Sequence, residues 1–194
     1  MGQSILWRVA IAGVLRGALA AVRAADDTLV LALNATARRS PPAARVVGRL
    51  AAWLAGVEVV LMVALALAGR RGSAVRMLAA VGLVYVLSEA LGVLWPRRRP
   101  FAQLAGVERL APHSVERSFP SRHVASGLAM AAVGGRAHPR LGTAMAMVAW
   151  ALGLSRVAAG LHYPSDVLGG ALSGAAVGRL ALSRPGSPAR PGRS

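Results

Sequence analysis

Apolar residues run along the chain in long, nearly unbroken blocks, and the polar positions between them fall in clusters. The block at 50–69 holds one charge, Glu58, and a second block spans 77–95. About 20 predominantly apolar residues suffice to cross the hydrocarbon core of a bilayer, so both predict membrane helices. Pro96-Arg97-Arg98-Arg99-Pro100 ends the second, because prolines break the hydrogen-bond ladder and adjacent charges resist burial in lipid. A polar loop follows to about Pro120. Beyond it the pattern predicts a short helix rich in small residues at 124–135, another at 141–154, and a last at 167–182. Tyr163-Pro164-Ser165-Asp166 opens that last helix with residues suited to a helix N-terminus. The stretch at 5–22 is apolar yet carries Arg8 and Arg16. It fits an interfacial or first membrane helix better than a cleaved signal.

The expected fold class is therefore all-α, a polytopic membrane bundle of about six helices. One membrane-embedded domain is expected over 1–183, with an N-terminal helical segment at 1–45 and a core at 91–182. The Pro-, Gly-, Ser- and Arg-rich end at 184–194 predicts a disordered basic tail.

Composition agrees, since of 194 residues 55% are hydrophobic, 15% charged and only 4% aromatic, and small residues dominate as they do where helices pack closely in lipid. The formal charge of +16, carried entirely by arginine, would suggest nucleic-acid binding in a soluble domain. Here the arginines are spread between apolar blocks instead of lining one face, so no nucleic-acid partner is expected. The chain has no cysteine, which excludes disulfides, thiolate metal sites and a thiol nucleophile. Asn34-Ala35-Thr36 matches a glycosylation acceptor only as a short chance pattern. Alternate crossings place the connections at 96–122 and 155–166 on one side of the membrane. Arg70, Arg71, Arg76, Arg136, Arg140 and Arg179 fall on the other, which the positive-inside tendency makes cytoplasmic. Arg38, Arg39, Arg45 and Arg49 run against that count if the N-terminal segment spans.

The chemistry gathers at those outer connections. Ser155-Arg156, then His162, then Asp166 form one set, and Phe119-Pro120-Ser121-Arg122-His123 supplies a second histidine beside an arginine. Fixed cations and donors are what a metal-free enzyme needs around a phosphoryl group in transfer. Arginine's planar fork meets that need with paired donors and a permanent charge. Arg99 and Arg156 are the primary phosphate-binding candidates, Arg98, Arg122 and Arg97 secondary ones, and Ser121 an added hydroxyl donor. Asp166, four residues past His162 across a Pro-Ser break, is positioned to hydrogen-bond one ring nitrogen and leave the other as a nucleophile. His123, at a helix start, is the candidate acid and base. His113 and His138 lack such company and read as ordinary loop residues. Neighbouring arginines disfavour a divalent cation, so neither metal nor cofactor is expected. Glu58 and Glu89 lie within predicted spans, where a carboxylate usually faces a partner or cavity; Glu89 could pair with an arginine of the site.

These residues resemble the type 2 phosphatidic acid phosphatase superfamily. It includes lipid phosphate phosphatases and bacterial undecaprenyl pyrophosphate phosphatases and, more remotely, glucose-6-phosphatase and vanadium haloperoxidases. Its S-R-x5-H-x3-D pattern is matched in full by Ser155, Arg156, His162 and Asp166. Its P-S-G-H pattern appears as Pro120, Ser121, Arg122 and His123, with arginine in place of glycine. Its K-x6-R-P pattern keeps Arg99 and Pro100, but Gly92 stands where the phosphate-contacting lysine is usual. The resemblance implies a six-helix membrane fold, a site at one bilayer face, a phosphohistidine intermediate and no metal. The expected function is hydrolysis of the terminal phosphate of a lipid phosphate or diphosphate, with undecaprenyl pyrophosphate preferred, at the extracytoplasmic face of a bacterial plasma membrane. Phosphatidic acid, phosphatidylglycerophosphate and prenyl-phosphoryl-sugars are alternatives, as is a catalytically silent protein that binds anionic lipid. Oligomeric state is open.

Overall fold

The computed structural model describes residues 2–183; the expected tail at 184–194 lies outside the described residues. Those residues form α1 (Gly2–Ala37), α2 (Pro41–Leu67), α3 (Arg71–Leu94), α4 (Pro100–Gln103), α5 (Arg122–Ala137), α6 (Pro139–Ala158) and α7 (Pro164–Ser183). Six are long and α4 is a single turn, so the expected all-α bundle of about six helices is what forms. Three of them, α2, α3 and α6, are long and apolar enough to cross a membrane.

Local chemistry explains the boundaries. Ser40 caps α2 by accepting a hydrogen bond from the Ala43 amide at 3.3 Å, with Pro41 at the first position. His138 does the same for α6, its Nδ1 accepting from Leu141 at 3.3 Å ahead of Pro139; proline preset for the helix and a capping acceptor stabilise each start. The turn between α2 and α3 passes through Gly69 at φ 83°, a left-handed conformation that glycine adopts without steric cost.

Large apolar side chains such as Leu67, Val86, Leu94 and Leu172 lie on the outside, where hydrocarbon chains replace water as their solvent. α5 is central and packs against α2, α3, α6 and α7. Glycine makes the approach possible. A Cβ at Gly174 of α7 would lie 2.3 Å from the Ala125 carbonyl oxygen of α5, and one at Gly142 would lie 2.3 Å from the Cα of Gly135. Close backbone contact of this kind supplies the dispersion that holds helices together in lipid. Met77, Val84, Ala129, Val133, Met145 and Val177 fill the space between α3, α5, α6 and α7.

α1 continues well beyond the predicted apolar stretch at 5–22. Its second half is polar on the face that meets the rest of the protein, where Asp26 and Asn34 are buried. Asn34 donates to the carbonyls of Glu108 and Ala158 at 2.9 and 2.8 Å and accepts from the Glu108 amide at 2.9 Å. Its amide is thus consumed in tying α1 to a loop and to the end of α6. Arg38 extends this tie to the Glu108 carboxylate and the Gly106 carbonyl, which sets the α1–α2 turn at the same end as the 95–121 loop. At the opposite end Arg70, Ser73, Arg76 and Arg136 surround a cavity of about 290 Å³, the segregation that the alternate-crossing count predicts. Glu58 of α2 is buried against α5, where a Cβ at Gly127 would lie 3.2 Å from its Oε1; neither carboxylate oxygen has a hydrogen-bond partner.

Candidate active site

Three backbone segments meet at the end of the bundle that carries the 95–121 loop. Residues 97–99 run extended, and their amides and carbonyls pair with the returning strand of the loop, Arg99 N to Val115 O at 3.0 Å and Ser118 N to Arg97 O at 2.8 Å. The Ser121 amide donates to the Asp166 carbonyl at 3.0 Å, and Phe101 N to Gly160 O at 3.1 Å. The loop, the start of α5 and the α6–α7 connection are thereby locked together.

His162 is almost fully buried. Its Nδ1 lies 2.8 Å from the Ser118 carbonyl oxygen. A carbonyl only accepts, so Nδ1 carries the hydrogen and Nε2 keeps its lone pair, which receives an N–H from Arg99 at 3.2 Å. The expected tautomer is present, but its cause differs from the expectation. Asp166 Oδ2 stands 3.7 Å from Nδ1, beyond hydrogen-bond length. Its oxygens are occupied instead by the Tyr163 amide at 2.8 Å and by Arg97 at 2.9 Å. Asp166 caps the start of α7 and places a negative charge beside the ring; the Ser118 carbonyl orients it. Burial, partly opposed by Asp166 and reinforced by Arg156 and Arg99, holds the His162 ring's pKa down to about 4, so it is neutral at ordinary pH.

The phosphate-binding candidates separate into three groups. Arg99 and Arg156 are both buried. Arg99 donates to the Leu161 and Arg117 carbonyls at 2.8 and 3.2 Å, and burial lowers it to about 10, against the pull of Asp166, so it remains a cation. Arg156 anchors one nitrogen on the Ala51 carbonyl at 2.9 Å, while its Nε and second terminal nitrogen have no hydrogen-bond partner. Ser121 is fully buried, starts α5 without capping it, and its hydroxyl is likewise unpartnered. Buried donors left unpaired are costly, and an anion is the kind of group that would satisfy them. His123, in the first turn of α5, is within electrostatic reach of Arg156, His162, His113 and Arg122.

Arg122 stands at the rim. It lies 3.8 Å from Glu89 and over the Tyr85 ring at 5.5 Å, and its charge is felt at Arg99, Arg156 and His113. Of the two roles the sequence left open for Glu89, a neutral carboxyl and a partner of arginine, the structure shows the second, with Glu89 pairing with Arg117 as well as Arg122. Beside them an open groove of about 740 Å³, lined by Tyr85, Val86, Ala90, Val93 and Leu94, runs along α3.

Arg98 and Arg97 are corrections. Arg98 is exposed, because side chains alternate along an extended segment and both of its neighbours turn inward; among the described residues its guanidinium meets none of the site groups. Arg97 turns in but is bound to Asp26 at 2.7 Å, Asp166 at 2.9 Å and Ser165 at 2.7 Å, and stacks 3.7 Å from the Tyr163 ring centroid. Although burial alone would lower it, the Asp166 and Asp26 charges raise its pKa. Arg97 is a strut between α1 and α7. Neither arginine occupies the space next to Gly92, where an added Cβ would meet Phe119 O at 3.4 Å and the Arg117 side chain at 4.0 Å.

His113 is the third correction. It does not stand apart in its loop, for its ring lies edge-on to His162 with centroids 6.3 Å apart. Asp26 and Ser118 also belong to the arrangement. The signal for Asp26 is weak, since Asp27 stands beside it and Arg23 a turn before it in the same helix; Ser118 acts through its backbone and has none. Among the described residues no group of three or more His, Cys, Asp or Glu side chains gathers to hold a metal ion.

An all-α bundle with spans of this kind and a cluster of histidines and arginines at one end defines an integral membrane protein. The chain belongs to the PAP2 superfamily, whose family model matches residues 73–186. It is 36% identical over 89 residues to the bacitracin transport permease protein BcrC of Bacillus licheniformis (46% of this chain, 44% of the relative). It is 30% identical over 95 residues to undecaprenyl-diphosphatase BcrC of Bacillus subtilis, covering 49% of each. The chain thus spans about half the length of the curated relatives it matches. Its fold is similar to that of Aquifex aeolicus LpxE, with a TM-score of 0.70 and 27% identity over 81% of this chain and 94% of that one. It also resembles a transmembrane PAP2-type phosphatidylglycerolphosphate phosphatase from Bacillus subtilis, with a TM-score of 0.64 and 23% identity over 84% and 85% of the two chains.

Proposed function

We propose that the protein is a membrane lipid phosphatase that removes the terminal phosphate of a lipid phosphate or diphosphate, a polyprenyl diphosphate such as undecaprenyl pyrophosphate above all, through a phosphohistidine on His162 and without metal. The observation that carries this reading is the fixed tautomer of His162, whose unprotonated Nε2 sits beside Arg99; the buried Arg156 and Ser121 side chains keep donors with no partner. A site that only bound anions would need those donors and no oriented nucleophile.

In the first step the Nε2 lone pair forms the N–P bond as the terminal P–O bond breaks. His123 gives its proton to the departing oxygen; burial and then the Arg156 charge hold this ring down to about 3 in the empty site, and a bound phosphate dianion raises it so that the ring can carry the proton. The positive charge left on the phosphorylated imidazole is offset by Asp166, 3.7 Å away. In the second step His123 takes a proton from water, the water oxygen bonds to phosphorus, and the N–P bond breaks to restore His162. Arg156, Arg99 and Ser121 hold the equatorial oxygens throughout, with Arg122 at the rim near the leaving phosphate. The apolar groove along α3 is open beside Arg122 and suits the lipid chain. The preference for an undecaprenyl substrate is supported by the name of the Bacillus subtilis relative. An extracytoplasmic site is supported by the arginines at the opposite end of the bundle, the end that the positive-inside tendency makes cytoplasmic; the arginines of the α1–α2 turn, with Arg38 bound to the loop at the site end, count against it.

The test is phosphate release from a panel of purified lipid phosphates and diphosphates, in chelator, by wild type, His162→Ala and His123→Ala. Chelator-insensitive release by wild type, lost in both variants, is expected. Lipid binding without release would favour the silent anionic-lipid binder.

A further inference from the structure

Resting on the phosphatase reading, we infer that His113 is a third histidine of the reaction centre, whose Nε2–H donates to a non-bridging oxygen of the phosphoryl group as it passes to His162. The mechanism above makes no use of this ring, yet it stands 6.3 Å from His162, edge-on at 78°. At that spacing a phosphoryl group bonded to one imidazole is within hydrogen-bond reach of the other.

The tautomer assigns the role. His113 Nδ1 accepts the Ser114 amide hydrogen at 3.0 Å. A backbone amide can only donate, so Nδ1 keeps its lone pair and the neutral ring carries its hydrogen on Nε2. This is the opposite tautomer from His162, where a carbonyl fixes the hydrogen on Nδ1. Two adjacent rings held in opposite tautomers present one acceptor and one donor, which is what transfer of a phosphoryl group onto a nitrogen requires of its surroundings.

The ring is also held in place. Arg109 donates to the His113 carbonyl at 3.0 Å and stacks over Phe101 at 5.3 Å, and Phe101 N is bonded to Gly160 beside the His162 segment. Burial, then the charges of Arg99, Arg156 and Arg122, keep protonation of His113 down to about 3, so the ring works as a neutral donor. A preorganised donor of this sort strengthens its bond as charge builds on the phosphoryl oxygens.

The experiment compares wild type with His113→Ala, His113→Phe and His113→Gln in detergent, measuring phosphate release, inhibition by vanadate as a mimic of the five-coordinate phosphorus, and elution and melting temperature. Ala and Phe should lower kcat/KM by about 10²-fold and weaken vanadate inhibition in step, while Gln, whose amide N–H can replace Nε2–H, should recover most of the loss. Wild-type kcat/KM in His113→Phe would overturn the inference, since the ring would then only fill space; so would a Gln variant no better than Ala. If wild type released phosphate from no lipid substrate, the phosphatase reading would fail by itself. Vanadate binding followed by vanadium-51 NMR would still decide the role of His113, and equal binding by wild type and His113→Phe would contradict it.

Discussion

Asp26 touches no atom of the reaction, yet its replacement should be among the most damaging changes outside the site. Its carboxylate, nearly fully buried, accepts from Arg97 at 2.7 Å, the Ser165 amide at 2.9 Å and the Ser165 hydroxyl at 2.5 Å. In Asp26→Ala the Arg97 guanidinium keeps Asp166 but loses half its neutralising charge, and the Ser165 amide at the start of α7 loses its acceptor. Breaking one side of a buried pair costs about 3–5 kcal/mol. Arg97 retains a second carboxylate and is 18% exposed, which halves that figure to about 2 kcal/mol, and the orphaned amide adds about 1 kcal/mol. A loss of about 3 kcal/mol corresponds to a drop of about 6–12 °C in melting temperature for a chain of this size. Because Arg97 is what restrains Asp166, and Asp166 sits beside His162, kcat should fall more than KM. Asp26→Asn, which keeps an acceptor for Ser165, should fall between. Thermal melts in detergent micelles with parallel kinetics read both effects. An Asp26→Ala protein melting within about 1 °C of wild type with unchanged kcat would show that α1 does not brace the site.

Three further outcomes are expected. Arg156→Ala should lower kcat/KM by about 10³-fold with Arg156→Lys recovering only part of it, since a point charge cannot reproduce the two unpaired donors of the planar fork; steady-state kinetics check this. Between about pH 6.5 and about 4 the unfolded chain binds protons that His162 and His113, held to about 4 and about 3, refuse in the folded state. The melting temperature should therefore fall as pH is lowered through that window, and His162→Gln should flatten the dependence. Gly174→Ala would place a Cβ 2.3 Å from the Ala125 carbonyl oxygen, so α5 and α7 must separate, at about 1–3 kcal/mol by the usual cost of overpacking, seen as a lower melting temperature with little change in KM.

Much of this was legible in the linear chain for identifiable reasons. Helices that face lipid must be apolar over their whole length, so α2, α3 and α6 announce themselves, and the spacing of Ser155, Arg156, His162 and Asp166 survives because the α6–α7 connection is short. What was hidden depended on partners distant in sequence. Asp26 and Ser165 are 139 positions apart. His113 gains its company only when residues 97–99 pair with 115–118, and the same pairing turns Arg97 and Arg99 inward and Arg98 outward, a distinction that three adjacent arginines cannot reveal. The orienter of His162 is not legible in the sequence because the backbone carbonyl of Ser118 holds the ring nitrogen, while the Asp166 side chain four residues away is committed to Tyr163 and Arg97.

The central claim is that His162 Nε2 becomes covalently bonded to phosphorus. Rapid quenching of the enzyme with a lipid diphosphate labelled in its terminal phosphate, followed by peptide mapping, tests it directly. An acid-labile, base-stable phosphoramidate on His162, absent from His162→Ala, is predicted. Turnover that proceeds with no label on the protein, or with label on another residue, would contradict it.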